Sequence, residues 1–437
     1  MNITNLTAKA LSAAYTVGET TPLEVTEICL KRISEVNPSI NAFTYVNNNT
    51  ALEQAEASTQ RWAAGKPFSA LDGIPFGLKD NIDVAGITCT AGTAAYAKRV
   101  PSTDAGIYQE LSGAGMVLLG KLNMHEAALG ATTDNPIFGK CISPLAKGHT
   151  PGGSSGGASA ALSAQLCSLA VGSDTMGSVR IPAAYCGVMG MIPTRNRLPM
   201  SGVVPLSQTL DVLGPLAHTG ADLALLMAHL LRLGSTPHAT NEVWNGLRVG
   251  IVNQLFEVDM DASVRRAFEL VIAKLEERGA KMQEINCPCW SPARQRMDAF
   301  VLSEIEGASY WIDATGPDFH GLSPSLQKML SYGHRLASEK KIHYRESIGK
   351  LRESASLFFS KTDVLLMPTT PGTSFPHTEM APVNQADWTC LANILGAPAL
   401  SFPCPTNGLP VACQFMAAQG EDERLLALGC AIDLLWD

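Results

Sequence analysis

The sequence lacks the features that mark membrane-spanning, secreted and nucleic-acid-binding proteins. Its longest apolar stretch, residues 158–171, is rich in small residues and is interrupted by Ser and Gln, so it falls short of a membrane span. The first residues carry neither the basic nor the apolar region of a signal peptide, which predicts a cytoplasmic protein. The 32 Lys and Arg residues form no run and the net charge is −8, so we expect no direct nucleic-acid partner and no membrane partner.

Metal-ligand spacings are also missing. The nine histidines form no HxH or HExxH pattern, and His125-Glu126 comes nearest but is followed by Leu129 where a second histidine would stand. The 11 cysteines include one close pair, Cys287 and Cys289, which without a second pair is a weak metal signal. An odd number of cysteines in apolar segments predicts reduced, buried thiols. We therefore expect no metal and no cofactor.

What the sequence does contain is an alternation of strand and helix patterns. A content of 46% hydrophobic and 16% charged residues is enough for a large buried core. Apolar runs predict strands at residues 73–79, 117–122, 168–171, 247–252, 364–368, 399–402 and 411–415. Helical patterns cover residues 7–36, with Thr21-Pro22 as an N-cap within them, and residues 50–64, 155–165, 262–278 and 422–435, and another helix is expected after Pro182. Residues 232–245 have the composition of a surface connection.

This alternation predicts the fold class. Strands that alternate with helices favour an α/β protein in which helices cover both faces of one sheet. We expect a single domain over residues 1–437, built on a central mixed, mostly parallel twisted sheet.

Two segments rich in serine and glycine, residues 151–157 and 172–180, are the strongest chemical signal. Glycine lets the backbone approach a reacting atom closely, and neighbouring N–H groups can hold an oxyanion. Residues 153–157 also fit G-x-S-x-G, but that motif needs a strand directly before it and a loop stands there. A phosphate-binding loop would need Gly-Lys-Ser/Thr or GxGxxG, and neither is present. The second segment follows a predicted buried strand, which favours Ser178 as a nucleophile.

A serine nucleophile needs a base, and no histidine has an obvious partner. Lys79 ends a predicted apolar strand. If it is buried, desolvation would lower its pKa and leave a neutral amine that can accept a proton. Ser154 could then relay the proton between Lys79 and Ser178, as in known serine–lysine arrangements.

These segments resemble the amidase signature family. Residues 77–81 are similar to its lysine segment, residues 151–160 to its glycine-serine stretch, and residues 174–183 and 186–194 to its nucleophile segment and continuation. Similar patterns at 211–215, 363–369 and 393–414 extend the resemblance over nearly the whole chain. It implies a signature core at about 70–200 and a variable substrate-pocket region at about 300–390.

The resemblance also implies roles for individual residues. Ser178 would form the acyl-enzyme, Lys79 would be the initiating base, and Ser154, after a cis peptide bond from Gly153, would shuttle the proton. The backbone N–H groups of four residues would form the oxyanion hole: Thr175, Met176, Gly177 and Ser178. The Asp174–Arg180 pair would brace the loop.

For substrate contacts the resemblance implies Met124, Gly153 and Met176. Position 176 is usually small in the family, so Met176 is expected to narrow the pocket. Aromatic and histidine side chains of the variable region are further candidates: Trp311, Phe319, His320, Tyr332 and Tyr344.

Three functions fit this sequence. The first is an amidase that hydrolyses the C–N bond of a small or aryl amide, or of a carbamate or urea. The second is an amidotransferase A-type subunit that releases ammonia for tRNA-linked amidation, although that subunit usually carries an aspartate where His125 stands and is usually longer. The third is a catalytically silent family member, against which the intact Lys79, Ser154 and Ser178 argue. A homodimer is an expectation from the family, in which dimers are common.

Overall fold

Short apolar runs form the strands of one large sheet and a separate hairpin. The computed structural model describes residues 7–436. The strands are β1 Phe43–Val46, β2 Pro75–Lys79, β3 Val117–Leu122, β4 Asp134–Asn135, β5 Gly139–Lys140, β6 Leu169–Asp174, β7 Met189–Ile192, β8 Val212–Ala217, β9 Arg248–Val252, β10 Lys281–Ile285, β11 Val364–Pro368, β12 Ala399–Cys404 and β13 Val411–Met416. Strands β4 and β5 pair only with each other, whereas the other eleven form the sheet β1-β3-β2-β6-β8-β7-β12-β13-β11-β9-β10.

The sheet is mixed, as expected, but the expectation that it is mostly parallel was wrong. Parallel pairs join β3, β2 and β6 near one edge, and β11, β9 and β10 at the other. The pairs between β6 and β11, by way of β8, β7, β12 and β13, are antiparallel, and so is β1–β3. The sequence patterns had not revealed β7 and β8, which insert antiparallel strands at the centre. A short connection between β12 and β13 also enforces antiparallel pairing.

The helices observed within residues 7–436 are mostly amphipathic segments that pack on this sheet. They are α1 Ala8–Val17, α2 Pro22–Ile40, α3 Asn48–Ala63, α4 Gly106–Gly113, α5 Gly156–Ser163, α6 Arg180–Cys186, α7 Gly220–Leu230, α8 Ala262–Glu277, α9 Pro292–Thr315, α10 Pro324–Arg335, α11 Ser338–Glu353, α12 Ala355–Phe359, α13 Cys390–Leu395 and α14 Asp422–Leu435. Single 3₁₀ turns lie at Glu126–Ala128, Asn241–Trp244 and Asn253–Glu257.

Helices cover both faces of the sheet. In β12, Leu400 lies under Gly429 of α14, so this residue's face carries α14. The next residue, Ser401, pairs with Gly190 of β7, and Gly190 lies against Ala183 of α6. Because successive residues of a strand face opposite sides, α6 and α14 lie on opposite faces. The prediction of a sheet covered on both sides is therefore confirmed.

The predicted helix at residues 7–36 is two helices. Gly18 ends α1 in the left-handed region with φ 69°, which glycine adopts without penalty. Thr21 then starts α2: its side chain accepts from the Glu24 N–H while the Glu24 carboxylate accepts from the Thr21 N–H. The sequence had predicted this N-cap, but not the break before it.

The remaining predictions hold with small shifts of boundary. Helix α14 starts and ends where the sequence placed it, and α6 begins at Arg180, before Pro182. The connection at 232–245 is largely exposed, but Trp244 within it is fully buried. All 11 cysteines are free thiols, and all but Cys289 are buried. Among the described residues, no helix combines the length and apolarity needed to cross a membrane.

Candidate active site

The carboxyl ends of two neighbouring strands bring the two sequence signals together. Strands β2 and β6 are parallel and paired, so both end at the same edge of the sheet. Strand β2 ends at Lys79, and β6 ends at Asp174, directly before the turn that carries Ser178. Sites in α/β proteins lie at such carboxyl ends. Strand β6, which was predicted at residues 168–171, continues to Asp174 and therefore includes Ser173, whose hydroxyl lies next to Lys79.

Lys79 is fully buried, and its Nζ lies within hydrogen-bond distance of two hydroxyls. The Oγ of Ser154 is 2.7 Å away and that of Ser173 is 2.9 Å away. The Asn81 side-chain amide donates to the same Ser173 hydroxyl at 3.0 Å, which fixes it in place. Burial lowers the pKa of Lys79 to about 7, although nearby carboxylates oppose the shift. An amine with this pKa is neutral in a large fraction of molecules near pH 7.

The backbone is fixed both before Ser154, at Gly153, and at the Ser154 carbonyl group. The Gly153–Ser154 peptide bond is cis, as the resemblance implied. A Cβ on Gly153 would lie 2.7 Å from the backbone nitrogen of Thr132, so no larger residue fits there. The backbone N–H of His125 donates to the Ser154 carbonyl oxygen at 3.1 Å. The Ser154 hydroxyl itself lies 2.7 Å from the Lys79 Nζ.

Ser178 lines a cavity. Its backbone carbonyl accepts a hydrogen bond from the Ser155 N–H at 3.1 Å, which ties the two serine segments together. The side chain is half-buried, and its hydroxyl makes no hydrogen bond to any other residue between 7 and 436. Lys79 and Ser154 are therefore hydrogen-bonded, whereas the Ser154 and Ser178 hydroxyls are not hydrogen-bonded to each other. Hydrogen bonds of this kind often tighten only when substrate binds.

The turn before Ser178 is built around the carboxylate of Asp174. That carboxylate accepts hydrogen bonds from the N–H groups of Gly177 at 2.6 Å and Val179 at 3.0 Å. Arg180 pairs with it at 3.1 Å, and both side chains are fully buried. Burial opposes its ionisation, but the Arg180 guanidinium and these hydrogen bonds outweigh burial and hold the pKa of Asp174 below its ordinary value. The implied bracing ion pair is therefore present in the structure.

Two further residues fix the same turn from outside. The Thr389 hydroxyl donates to the Met176 carbonyl oxygen at 2.6 Å. Gly177 has φ 130°, and a Cβ there would lie 2.3 Å from the Thr389 Oγ, so only glycine fits. Asn393 donates to the Asp174 carbonyl oxygen at 2.9 Å and to its carboxylate at 3.0 Å. The shape of the turn thus depends on residues more than 200 positions away.

The free N–H groups of the turn are fewer than the resemblance implied. The Gly177 N–H is taken by Asp174. The N–H groups of Thr175, Met176 and Ser178 have no hydrogen-bond acceptor in the described part of the chain. Three donors therefore remain to bind an oxygen atom that enters the cavity.

Thr175 is anchored by a second buried acid. Its hydroxyl donates to one oxygen of Asp211 at 2.6 Å, and the N–H groups of Leu206 and Ser207 donate to the other oxygen at 2.8 and 3.0 Å. Burial raises the pKa of Asp211 to about 6 despite these hydrogen bonds. The Asp211 carboxylate also acts electrostatically on Lys79 and raises its pKa.

The cavity beside Ser178 has a volume of about 410 Å³, within the range of small-molecule sites. Its walls come mainly from residues 128–131, from the turn, from α9 and from the segment before α13. The lining residues are Ala128, Leu129, Gly130, Ala131, Gly153, Thr175, Met176, Ser178, Ile181, Leu206, Arg296, Met297, Phe300, Ser303, Ala381, Pro382, Val383, Gln385 and Ala386. Most of these side chains are apolar.

Two of the three predicted substrate-contact residues line this cavity. Gly153 and Met176 lie in its wall, whereas Met124 is 1% exposed, packs in a neighbouring apolar cluster and does not line it. Met176 is half-buried and is not among the described residues with positive φ. The backbone of Met176 therefore carries no penalty of the kind that a left-handed conformation would impose on a residue with a side chain.

The aromatic and histidine candidates of the variable region do not line the cavity. Trp311 and Phe319 are buried in an apolar cluster, His320 and Tyr332 are exposed, and Tyr344 lies on α11. The variable region contributes instead through its two ends, Phe300 with Ser303 and residues 381–386. The sequence could not predict which residues of this region line the cavity, because that depends on which face of α9 forms its wall.

His125 lines a separate cavity of about 480 Å³ together with Asp134 and Ser323. Its Nδ1 lies 3.3 Å from the Thr132 hydroxyl, and burial lowers the pKa of its imidazole to about 4. The imidazole is therefore neutral at pH 7. Among residues 7–436, no group of three or more His, Cys, Asp or Glu side chains is placed to hold a metal ion.

Comparison with known proteins identifies the family. The family model described as Amidase matches residues 24–426. The chain belongs to the amidase signature family. The A-type subunit of the glutamyl-tRNA(Gln) amidotransferase of Chloroflexus aggregans is 33% identical over 99% of this chain and 96% of that protein. The alignment extends over 474 positions, more than the 437 residues of this chain, so this relative is the longer protein, in line with our expectation.

Solved structures of this family superpose closely on the chain. A crystal structure of an amidase, 28% identical, has a TM-score of 0.90 and covers 98% of this chain and 99% of its own. The A-type subunit of the glutamyl-tRNA(Gln) amidotransferase from Thermotoga maritima, 26% identical, has a TM-score of 0.78 and covers 94% of this chain and 91% of its own. Both an amidase and an amidotransferase component thus share this fold.

Sequence reasoning missed several residues of the site. Asp211 and Asn393 fall in segments that resembled the family, but the sequence alone gave them no role. Ser173 lies in the serine- and glycine-rich segment 172–180, but the sequence assigned it no role. Thr389 and Arg296 carried no signal, because their contacts with the site arise only from the folded chain.

Proposed function

We propose that this protein hydrolyses amide C–N bonds through an acyl-enzyme on Ser178. The observation that carries the proposal is the buried Lys79 amine, 2.7 Å from the Ser154 hydroxyl and with a pKa of about 7. A desolvated amine of this kind is a suitable general base near neutral pH. A lysine with a purely structural role would not need this lowered pKa beside a serine hydroxyl.

The reaction proceeds in two halves. The Ser178 Oγ attacks the carbonyl carbon of the amide, its proton passes to the Ser154 Oγ, and the Ser154 proton passes to the Lys79 amine. The C–N bond then breaks as Ser154 returns a proton to the departing nitrogen, which leaves as ammonia or an amine. In the second half, water attacks the acyl-enzyme, and the same three residues move its protons until the acid is released.

The charge that develops on the carbonyl oxygen needs donors. The N–H groups of Thr175, Met176 and Ser178 have no other acceptor within residues 7–436 and border the cavity, so we assign the oxyanion hole to these three. The Gly177 N–H, which the resemblance had included, instead holds the turn through Asp174. Removal of one such donor costs about 3–4 kcal/mol of transition-state stabilisation in known cases.

A fluorophosphonate probe tests the nucleophile. We expect the probe to label the unmodified chain at Ser178 and to leave Ser178→Ala unlabelled. Ser163→Ala, at the end of α5 and away from the cavity, is the matched control and should label normally. Labelling that persists in Ser178→Ala, or that is absent from the correctly folded unmodified chain, would contradict the proposal.

A second candidate function is that of the A-type subunit of an amidotransferase, in which the released ammonia is used by the other components of the complex. The 33% identity to the Chloroflexus aggregans protein over nearly the full length of both chains favours this candidate. His125, where such subunits usually carry aspartate, argues against it. A small amide hydrolysed by the isolated chain would support an independent amidase.

The two candidates differ in what the isolated chain can do. The test compares ammonia release from L-glutamine and from a panel of simple amides, first by the chain alone and then with the chain in place of the A-type subunit in a reconstituted glutamyl-tRNA(Gln) amidotransferase. Turnover of simple amides alone, without function in the reconstituted enzyme, supports the amidase. Glutamine turnover that requires the other subunits supports the amidotransferase.

A further inference from the structure

One charged side chain lines the otherwise uncharged cavity beside Ser178. Of the lining residues in the described part of the chain, only Arg296 has an ionisable side chain. It lies on α9, and Arg296, Phe300 and Ser303 follow one another at helical spacing, so that one face of the helix forms one wall of the cavity. A guanidinium is expensive to keep in an apolar wall unless something binds it.

Arg296 forms an ion pair with Asp387 but does not use all of its hydrogen-bond donors in it. Its Nε donates to the Asp387 carboxylate, and the side chains are 17% and 4% exposed. Within residues 7–436, neither Nη atom of Arg296 makes a hydrogen bond. Because Asp387 uses only the Nε donor, the terminal edge of the guanidinium keeps its paired donors, the geometry that binds a carboxylate through two parallel hydrogen bonds.

The other polar side chains of the cavity, Ser178 excepted, donate within the protein. The Ser303 hydroxyl donates to the Ala299 carbonyl oxygen, and the Thr175 hydroxyl donates to Asp211. The Gln385 amide donates to the Pro382 carbonyl oxygen and its oxygen accepts from Tyr185. Apart from the reacting turn and one N–H of the Gln385 amide, the side-chain donors of the cavity wall without an acceptor among residues 7–436 therefore belong to Arg296, which alone carries a charge.

One segment links this arginine to the reacting turn. Asp387, which orients Arg296, lies two residues before Thr389, which binds the Met176 carbonyl oxygen. The guanidinium and the proposed oxyanion donors are thus positioned by the same stretch of backbone. Such a connection fixes the distance between them and so favours substrates of a particular length.

We propose that Arg296 binds a carboxylate carried by the substrate, so that the preferred substrates are amides with a carboxylate a few carbon atoms from the scissile bond. This inference rests on the proposed function, because it takes the cavity beside Ser178 as the substrate site. A monoamide of a short dicarboxylic acid has the required shape: its amide reaches Ser178 while its carboxylate meets the guanidinium.

Binding to Ser178→Ala tests the proposal without requiring turnover. Calorimetry compares succinamic, glutaramic and adipamic acids with their methyl esters, which keep the length but lose the charge. We expect one of the acids to bind about 10- to 100-fold more tightly than its ester, since a hydrogen bond to a charged group is among the stronger polar contacts. Equal binding of every acid and its ester would overturn the proposal.

The arginine variants assign any preference to Arg296. In the Ser178→Ala background, Arg296→Gln should abolish the preference for the acid. Arg294→Gln removes the same charge from the same helix, but Arg294 is 65% exposed in its side chain and does not line the cavity, so the preference should persist. A preference that survives Arg296→Gln, or that is lost in Arg294→Gln as well, would contradict a specific contact.

Arg296→Gln leaves the Asp387 carboxylate without its cation, and this could unfold the chain. If thermal unfolding shows such a loss, Arg296→Gln combined with Asp387→Asn removes both charges and serves instead, with the same expected result. Failure of the unmodified chain to label with fluorophosphonate or to hydrolyse amides would count against the proposed function, whereas the binding comparison would still decide the role of Arg296.

Discussion

The Thr389 hydroxyl donates a 2.6 Å hydrogen bond to the carbonyl oxygen of Met176, although 213 positions separate the two residues. On the other side of the same peptide group, the Gly177 N–H donates to Asp174 at 2.6 Å. Both polar atoms of this peptide are therefore held by side chains. With this peptide fixed, the backbone on either side of it is held as well, which is what the proposed oxyanion hole at Met176 and Ser178 would require.

Replacing Thr389 should consequently impair catalysis more than substrate binding. Thr389→Val keeps the shape of the side chain but removes the donor and leaves a buried carbonyl oxygen unsatisfied, which costs about 1–3 kcal/mol. We expect kcat to fall about 10-fold with little change in KM. The reason is that the lost hydrogen bond loosens the proposed oxyanion donors, which stabilise the transition state more than the bound substrate. Thr389→Ser retains the hydroxyl and should keep most of the activity. Steady-state kinetics on one amide distinguishes the two, and equal kcat values in both variants would contradict this role.

The pH dependence of activity should follow the Lys79 amine. Burial lowers its pKa to about 7, so the amine is protonated and inactive as a base below that pH and neutral above it. We expect kcat/KM of the free enzyme to rise with pH through about 7 and then to level off. Lys79→Ala should reduce kcat by about 10²–10⁴-fold, the usual contribution of a general base, and should remove this rise. A variant that keeps near-normal rates would exclude Lys79 as the base.

Asp211 should set the position of that rise. Its carboxylate favours the charged form of Lys79, so its removal lowers the Lys79 pKa further and shifts the rise in kcat/KM toward lower pH. Asp211→Asn tests this and keeps an oxygen that can accept from Thr175. The matched control is Asp222→Asn, since burial raises the pKa of Asp222 to about 6 as well but its hydrogen bonds lie at α1 and α7. A pH profile that moves equally in both variants would show that the effect is not specific to Asp211.

The sequence predicted the parts of the fold that local patterns encode. Lys79 at the end of an apolar strand and the glycine-rich turns were visible because their composition is unusual over a few residues. Strand β7 was not, because four residues with a central Gly190 look like neither a strand nor a helix without their neighbours. Strand β8 contains Pro215, which usually argues against a central strand. The antiparallel centre of the sheet was missed for this reason.

In the candidate site too, local sequence patterns revealed some residues and long-range packing determines the others. The sequence supplied Lys79, Ser154 and Ser178, which sit in distinctive segments. It could not supply Thr389 or Arg296, since neither belongs to a recognisable pattern and each reaches the site only through packing of distant segments. Which N–H groups are free was equally hidden, because it depends on how the Asp174 carboxylate folds back on its own turn.

Met176 should limit the size of the acyl group that reaches Ser178. Its half-buried side chain lines the cavity, and its backbone is not in the left-handed region, so alanine can replace it without strain. Met176→Ala enlarges the cavity next to the reacting serine. We expect the ratio of kcat/KM for a bulky amide to that for acetamide to rise about 10-fold, since a methylene in an apolar pocket is worth about 1–3 kcal/mol in discrimination.

Met176→Leu provides the control for this effect. Leucine conserves the volume of methionine and should keep the substrate profile close to that of the unmodified protein. Both variants preserve the backbone N–H, so the proposed oxyanion hole remains and the smallest amide should be hydrolysed at similar rates in all three proteins. An unchanged profile in Met176→Ala across a graded series of acyl sizes would show that the side chain points away from the substrate, and a profile that changes as much in Met176→Leu would mean that methionine acts through something other than its volume.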